Sequence, residues 1–317
     1  MVIAVRDGAR DLERSLGTVL DQAGPTFEVI VVNDGSTDET TTMLDHMASR
    51  DARLVVVHAP ARGFTHALSD AIARATGEYL ARHDVDDLSL PDRFAQQARF
   101  LDAHPEVAAV GSAADVINER GDVSGQLTQA HGVAAVREGL LTLRATPVHG
   151  SMMIRRVAFD AVGGYRAAFL AAQDYDLWLR LVERFDIDVL PAVLYQWRLS
   201  AASVYGRRRA EQLRYAGVAR VFATERARFG EDSYEAFASC GGDFDRFAAR
   251  YRLAGALHAL WGELLYRALN DSAVARTHLG RAVRLGVATP RTLALFAWSL
   301  CRLPWPGGRP LKASSPC

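Results

Sequence analysis

Apolar positions in the first 120 residues switch between two periods. Leu12, Leu16, Val19 and Leu20 recur at helical spacing, and Phe27-Glu28-Val29-Ile30-Val31-Val32 then reads as a buried strand. Met43, Leu44 and Met47 predict a second helix, and Leu54-Val55-Val56-Val57 a second buried strand. Phe64, Leu68, Ile72 and Ala75 predict a third helix, followed by Gly77-Glu78-Tyr79-Leu80-Ala81 as a strand. Met1-Val2-Ile3-Ala4-Val5 is just long enough for a strand ahead of all these. Strands alternating with helices of this length predict βαβ units and a mostly parallel central sheet, hence an α/β fold. Further apolar runs fall at 107–118 and 151–156, and an extended pair at 187–199.

From about Arg207 the pattern is helical throughout. Leu253, Leu257, Leu260, Trp261, Leu264 and Leu265 form one face, and Leu279, Ala282, Val283 and Leu285 another, split by a turn at Asn270-Asp271. The expected organisation is an α/β domain over 1–205 and a helical region over 206–303. A Pro/Gly-rich tail over 304–317 is expected to be disordered.

Composition narrows the class. With 49% hydrophobic and 23% charged residues, the 317-residue chain has a globular make-up and can bury one large core or a core plus a smaller module. Its net charge of zero conceals an asymmetry that assigns the two segments different surroundings. Residues 205–317 hold 18 Arg and Lys against 9 Asp and Glu, whereas residues 1–204 hold 19 against 28. Cys240, Cys301 and Cys317 are too far apart for a disulfide framework or a zinc motif, which fits a reducing cytoplasm. No charged leader precedes an apolar core, and the run at 293–301 is too short to span a bilayer, so a cytoplasmic location is expected. The basic helical segment is compatible with peripheral contact at an anionic inner membrane face, and equally with a solvated helix surface. Its basic residues are dispersed and carry no recognition motif, which argues against nucleic acid as a partner.

Ligands of parallel sheets bind beyond the carboxyl ends of the strands. Two acidic loops fall there: Asn33-Asp34-Gly35-Ser36 and Asp84-Val85-Asp86-Asp87. Three carboxylates within four residues repel one another and are costly to desolvate, so a buried strand end carrying them calls for a cation. A solvated turn with an acidic helix start is the competing reading of that loop.

Val31-Val32-Asn33-Asp34-Gly35-Ser36-Thr37-Asp38-Glu39-Thr40 is the sharpest motif in the chain. It is followed by Gly77-Glu78-Tyr79 leading into Asp84-Val85-Asp86-Asp87, and by Ser89-Leu90-Pro91-Asp92-Arg93. Gly163-Gly164-Tyr165-Arg166 and Gln173-Asp174-Tyr175-Asp176-Leu177-Trp178-Leu179-Arg180 form a third block. In this order and spacing, over roughly residues 1–205, the chain resembles the family-2 glycosyltransferases, which have a GT-A fold.

That resemblance implies an inverting enzyme that moves a sugar from a UDP- or dTDP-sugar to a hydroxyl of a glycan, lipid-linked or protein-linked acceptor. Asp86 matches the metal ligand, with Asp84 near the ribose or the metal, and oxygen ligands favour Mg²⁺ or Mn²⁺. Asp87 is expected either to support the metal ligands as a hydrogen-bonding partner or to cap the next helix, with the cap favoured. Asp34 matches the acceptor of a hydrogen bond from the base, with Asp7, Arg10 and Arg62 as further candidates for the nucleotide pocket. Asp174 matches the general base, against the simpler reading that it caps its helix. Asp176 is expected to be structural, and His149 lies in the segment that flanks the acceptor in this family.

The chain also departs from the family pattern. Ala4-Val5-Arg6-Asp7 replaces a Pro and aromatic-Asn pair, Gln173 replaces a Glu, and Ser69-Asp70-Ala71 replaces Asn-x-Gly. Arg198 is followed by Leu199-Ser200 where members carry a His able to reach metal or diphosphate. These changes leave a binding protein of the same fold with decayed catalysis as one alternative. A sugar nucleotidyltransferase is another, disfavoured because Arg6-Asp7-Gly8-Ala9-Arg10 has a single glycine where such enzymes carry a Gly-rich phosphate loop.

Overall fold

A computed structural model describes residues 1–127, 129–199 and 209–250, with single positions between 276 and 293. Two compact units divide the chain, Met1–Gly206 and Arg207–Cys317.

The first unit begins with a parallel sheet. β1 (Val2–Val5), β2 (Val29–Asp34) and β3 (Leu54–Ala59) lie side by side, Ile3 opposite Val31 and Val31 opposite Val56. β1 and β2 are buried along their whole length, which is why β1 and residues 29–32 of β2 read as apolar runs without alternation. The intervening helices are α1 (Ala9–Leu20), α2 (Thr40–Ala48) and α3 (Phe64–Arg74). They bury Leu12, Leu16 and Val19, then Leu44, then Leu68, Ala71 and Ile72, as their spacing predicts.

A parallel bridge from Val2 to Arg82 carries the sheet on to β4 (Tyr79–Ala81). There the topology changes. The second sheet runs β4, β8 (Met153–Arg155), β6 (Val107–Ile117), β9 (Asp186–Arg198), β5 (Leu88–Ser89), with β7 (Val123–Gln126) on the side of β6. β6 and β9 are parallel, whereas β4 with β8, β6 with β8, β6 with β7 and β5 with β9 are antiparallel. The helices of this half are α4 (Arg93–Ala103), α5 (Val133–Thr142), α6 (Arg156–Ala161) and α7 (Gln173–Val182).

The extended pair expected at 187–199 is one strand of 13 residues. Its register slips where Leu190 faces Ser112 and Val193 faces Ala113, leaving Pro191 and Ala192 bulged between them. Proline has no N–H for the ladder, so the bulge falls where pairing is already impossible.

In the second unit, α8 (Arg209–Phe229), α9 (Tyr234–Ser239) and α10 (Phe244–Arg250) share an aromatic core. Phe222, Phe237 and Phe247 meet edge to face, with centroids 5.4–6.1 Å apart. Cys240 is a buried free thiol. Leu279 and Ala282 are buried. The helical face expected from Leu253 to Leu265, the turn at Asn270-Asp271 and the 304–317 tail lie outside the described residues. Among the described residues no helix is long and apolar enough to cross a membrane.

Candidate active site

The carboxyl ends of β1 and β2 are tied together by side chains from their own loops. Asp34 closes β2, is 4% exposed, and receives the backbone N–H groups of Arg62 at 2.7 Å and Gly63 at 2.9 Å on its two oxygens. Each oxygen keeps a lone pair for another donor. Asp7 adopts a left-handed φ of 51° after β1, and its carboxylate accepts the Thr37 N–H at 2.7 Å while its own N–H donates to Ser36 Oγ. Asp38 bridges the starts of two helices, accepting from Thr40 N and Ala9 N. Gly35 has a φ of 66°, and a Cβ there would lie 2.7 Å from Ala61 N, so only glycine brings the two loops this close. The Arg62 side chain points to Asp70 in an ion pair, and Arg10 is an exposed partner of Asp11 and Glu119.

The acidic loop after β4 rests on a buried polar layer. His83 is 0% exposed and meets Ser15 Oγ at 2.8 Å and Ser89 Oγ at 3.2 Å. Burial and the Arg93 and Arg82 charges hold its pKa well below the ordinary value, so it is neutral. Arg93, also 0% exposed, donates to Gln97, Ser89 Oγ and the Arg82 and Met152 carbonyls, and burial lowers its pKa to about 10. Arg93 is thus a satisfied internal cation beneath the loop.

Asp87 does not cap a helix, contrary to expectation. α4 begins only at Arg93, with Asp92 at its N-cap. The Asp87 carboxylate instead accepts the Arg198 N–H at 2.7 Å and the Tyr195 hydroxyl at 2.8 Å, fastening the loop to β9. Burial and the Asp84 and Asp86 charges push its pKa well up. Arg198 adds a bond from Nε to the Asp86 carbonyl at 2.7 Å and one to Asn118 O at 2.8 Å. Tyr195 Oη also accepts the Asp84 N–H at 3.2 Å.

Asp84 and Asp86 are half-buried residues of the same loop. Asp84 is ion-paired to the Arg82 guanidinium. No hydrogen bond from another residue is recorded to the Asp86 carboxylate among the described residues. Its pKa is pushed up to about 6, first by burial and then by the Asp84 charge. A half-buried carboxylate beside a second carboxylate offers the kind of oxygen donors a hard divalent cation takes. Among the described residues no three acidic, His or Cys side chains converge into a ready-made ion cage. Asp86 and Asp84 therefore fit Mg²⁺ or Mn²⁺ as two protein oxygens, the remaining positions falling to other oxygen donors.

The third acidic candidate lies on α7. Asp174 is the second residue of the helix, and the N-cap is Ala172. Burial raises the Asp174 pKa, backbone N–H groups of the first helical turn oppose that, and the Asp84 and Arg82 charges act on it in opposite directions. Tyr165 feels the same two carboxylates, and burial pushes its pKa up. Its hydroxyl lies 2.6 Å from His149 Nε2. The His149 ring packs edge-on against Tyr165, Trp178 and Phe64, and burial keeps it neutral. Asp176 is structural in its geometry, receiving Arg180 Nε at 3.0 Å and Nη2 at 2.7 Å.

Ring contacts link the acidic loop to α7: the Phe64 ring covers the Arg82 guanidinium and meets His149, which packs against Tyr165 and against Trp178 of α7. Asp34 and Asp7 lie on neighbouring loops, and Asp34 reaches these contacts through Gly63 and Phe64. The Arg62 side chain is directed to Asp70. Sequence reasoning passed over Arg82 and Tyr195, quoted Tyr165 only as part of a motif, and noted Arg198 only for the residues that follow it. Arg82 had a readable signal, since it stands two residues before Asp84 and a strand end sends both side chains the same way.

A parallel half-sheet ending in carboxylates, extended by a mixed half-sheet that carries the acidic loop, defines a GT-A type nucleotide-binding fold. Residues 1–163 match the model of Glycosyl transferase family 2, and the chain belongs to this family. Asp174 and Tyr165 lie beyond the matched segment.

A Bacillus subtilis protein assigned as glycosyltransferase EpsE is 31% identical over 188 residues, spanning 58% of this chain and 66% of its own length, just under two thirds. The amylovoran biosynthesis glycosyltransferase AmsE of Erwinia amylovora is 28% identical over 64% of this chain and 76% of its own. Two solved structures share the fold. S. aureus TarS 1-349 in complex with UDP-GlcNAc has a TM-score of 0.62 at 15% identity, covering 95% of this chain and 90% of that one. The mannosyltransferase PcManGT from Pyrobaculum calidifontis, in complex with GDP-Man and Mn2+, has a TM-score of 0.55 at 21% identity, covering 95% and 78%.

Proposed function

We propose that this chain is an inverting glycosyltransferase that takes a sugar from a UDP- or dTDP-sugar and attaches it to a hydroxyl of a glycan, lipid-linked or protein-linked acceptor. The observation that supports this reading is the chain of contacts from the acidic loop to α7, through Arg82, Phe64, His149 and Trp178. Asp84 and Asp86 offer oxygens to a divalent cation, and Asp174 stands apart from them with a raised pKa.

Asp34 accepts a hydrogen bond from the base, with Asp7 holding the adjoining loop in place. Asp86 holds Mg²⁺ or Mn²⁺ with Asp84 beside it, and the cation supplies positive charge against the departing diphosphate. Asp174 receives the proton of the acceptor hydroxyl as that oxygen bonds to the anomeric carbon. The bond to the diphosphate breaks on the opposite side, so the configuration inverts. Catalysis is assigned to residues 1–205. The amylovoran relative supports a glycan acceptor, and the UDP-GlcNAc complex of a structural neighbour supports a UDP-sugar donor.

A donor screen by nucleoside diphosphate release, with and without Mn²⁺, tests this reading. Asp174→Asn is expected to lower turnover by about 10²–10⁴-fold, and Asp86→Asn to remove the metal-dependent part. Unchanged turnover in both variants would overturn it.

A further inference from the structure

Arg82 is a charged residue that the reaction scheme leaves unused. It is 1% exposed, and of its three guanidinium nitrogens only Nη2 has a hydrogen-bond partner, the Asp84 carboxylate. Nε and Nη1 are buried without one. The Phe64 ring covers one face of the guanidinium, 5.0 Å from its Cζ. Arg93, equally buried, provides the contrast, because all three of its nitrogens donate to Gln97, Ser89 and backbone carbonyls. Burial without hydrogen bonds is costly, so a cation kept this way is retained for its charge. Only one hydrogen-bonded contact has to break for Asp84 to exchange Arg82 for another cation.

Resting on the glycosyl-transfer reading, we propose that Arg82 is the resident counter-cation of the acidic loop. In the free protein it neutralises Asp84, so a divalent ion arriving alone meets a fixed positive charge and only one uncommitted carboxylate, Asp86. The ion binds well when it arrives with a diphosphate, whose negative charges offset the guanidinium and whose oxygens complete the coordination. Metal and nucleotide are thereby coupled, each raising the affinity for the other by the same factor. Arg82 is a positioning residue for the metal and takes no part in bond making.

The test is Mn²⁺ binding to the full chain, read from the free-ion EPR signal without donor or acceptor. Arg82→Gln is expected to bind Mn²⁺ about tenfold or more tighter than wild type, since a like charge a few ångströms from the ion is removed. Arg82→Lys keeps the charge and is expected to remain near wild type. Equal or weaker binding in Arg82→Gln overturns the proposal, and so does tight binding in Arg82→Lys. If Arg82→Gln does not fold, wild type alone decides: UDP or GDP must tighten Mn²⁺ about tenfold, and no tightening by either sinks the coupling. A negative donor screen alongside tighter Mn²⁺ binding in Arg82→Gln would remove the transferase reading and leave the counter-cation standing.

Discussion

At the scale of single residues, Asp86 carries a cost that the fold does not need. An ordinary Asp titrates near 3.9, and here burial and Asp84 push the value up to about 6. Between these values the folded state binds more protons than the unfolded state, so stability falls as pH rises through that window. The penalty is fully present above pH 6 and absent below about 4. Asp86→Asn is therefore expected to raise the thermal midpoint of the metal-free protein at pH 7.5, by the equivalent of about 1–2 kcal/mol after solvent screening. The gain should disappear at pH 4, and a lowered midpoint at pH 7.5 would contradict the argument. The carboxylates Asp34, Asp84, Asp86 and Asp174 were legible as acidic residues at strand and helix ends. Asp87 was misread because its partners, Tyr195 and the Arg198 N–H, are more than 100 residues away, and a run of acids does not say which member turns inward.

At the scale of elements, the acidic loop is held by a strand and a short turn that sequence reading did not connect. The 3-10 turn His149–Ser151 passes so close to β9 that a Cβ on Gly150 would lie 2.1 Å from Tyr195 Oη and 3.1 Å from an Asp84 oxygen. Tyr195 Oη is the group that accepts the Asp84 N–H and donates to Asp87. Gly150→Ala must displace that ring, and with it the loop tip by a sizeable fraction of an ångström. Misplacement on that scale costs about 10²-fold in rate, so donor turnover is expected to fall by about that factor. Retention of wild-type turnover would mean that Tyr195 does not set the position of Asp84. The βαβ half of the fold was legible because each element's signal is local: β1 and the first four residues of β2 are apolar runs rich in Val and Ile, and α1 and α3 keep one apolar stripe each. β4 and β8 were legible as the strand at 77–81 and the apolar run at 151–156, but their antiparallel pairing was not, and β5 is two residues long and defined by its distant partner β9, so no window of sequence contains its signal.

At the scale of the whole molecule, charge is divided along the chain, not merely balanced. Residues 205–317 carry nine more basic than acidic groups, and residues 1–204 nine more acidic than basic. An anionic bilayer attracts a basic residue near its surface by about 1 kcal/mol each, while repelling the acidic segment that holds the site. Electrostatic attachment to such a bilayer is therefore expected to run through residues 205–317. Such attraction decays over a Debye length of about 10 Å at 0.1 M salt and about 3 Å at 1 M. The full chain is expected to sediment with phosphatidylglycerol vesicles at low ionic strength, to be released by about 1 M salt, and to ignore neutral phosphatidylcholine vesicles. Retention on neutral vesicles would point to apolar insertion. Absence of binding to anionic vesicles at low salt would mean that the arginines are a solvated helix surface, and the acceptor would then have to be reached in solution.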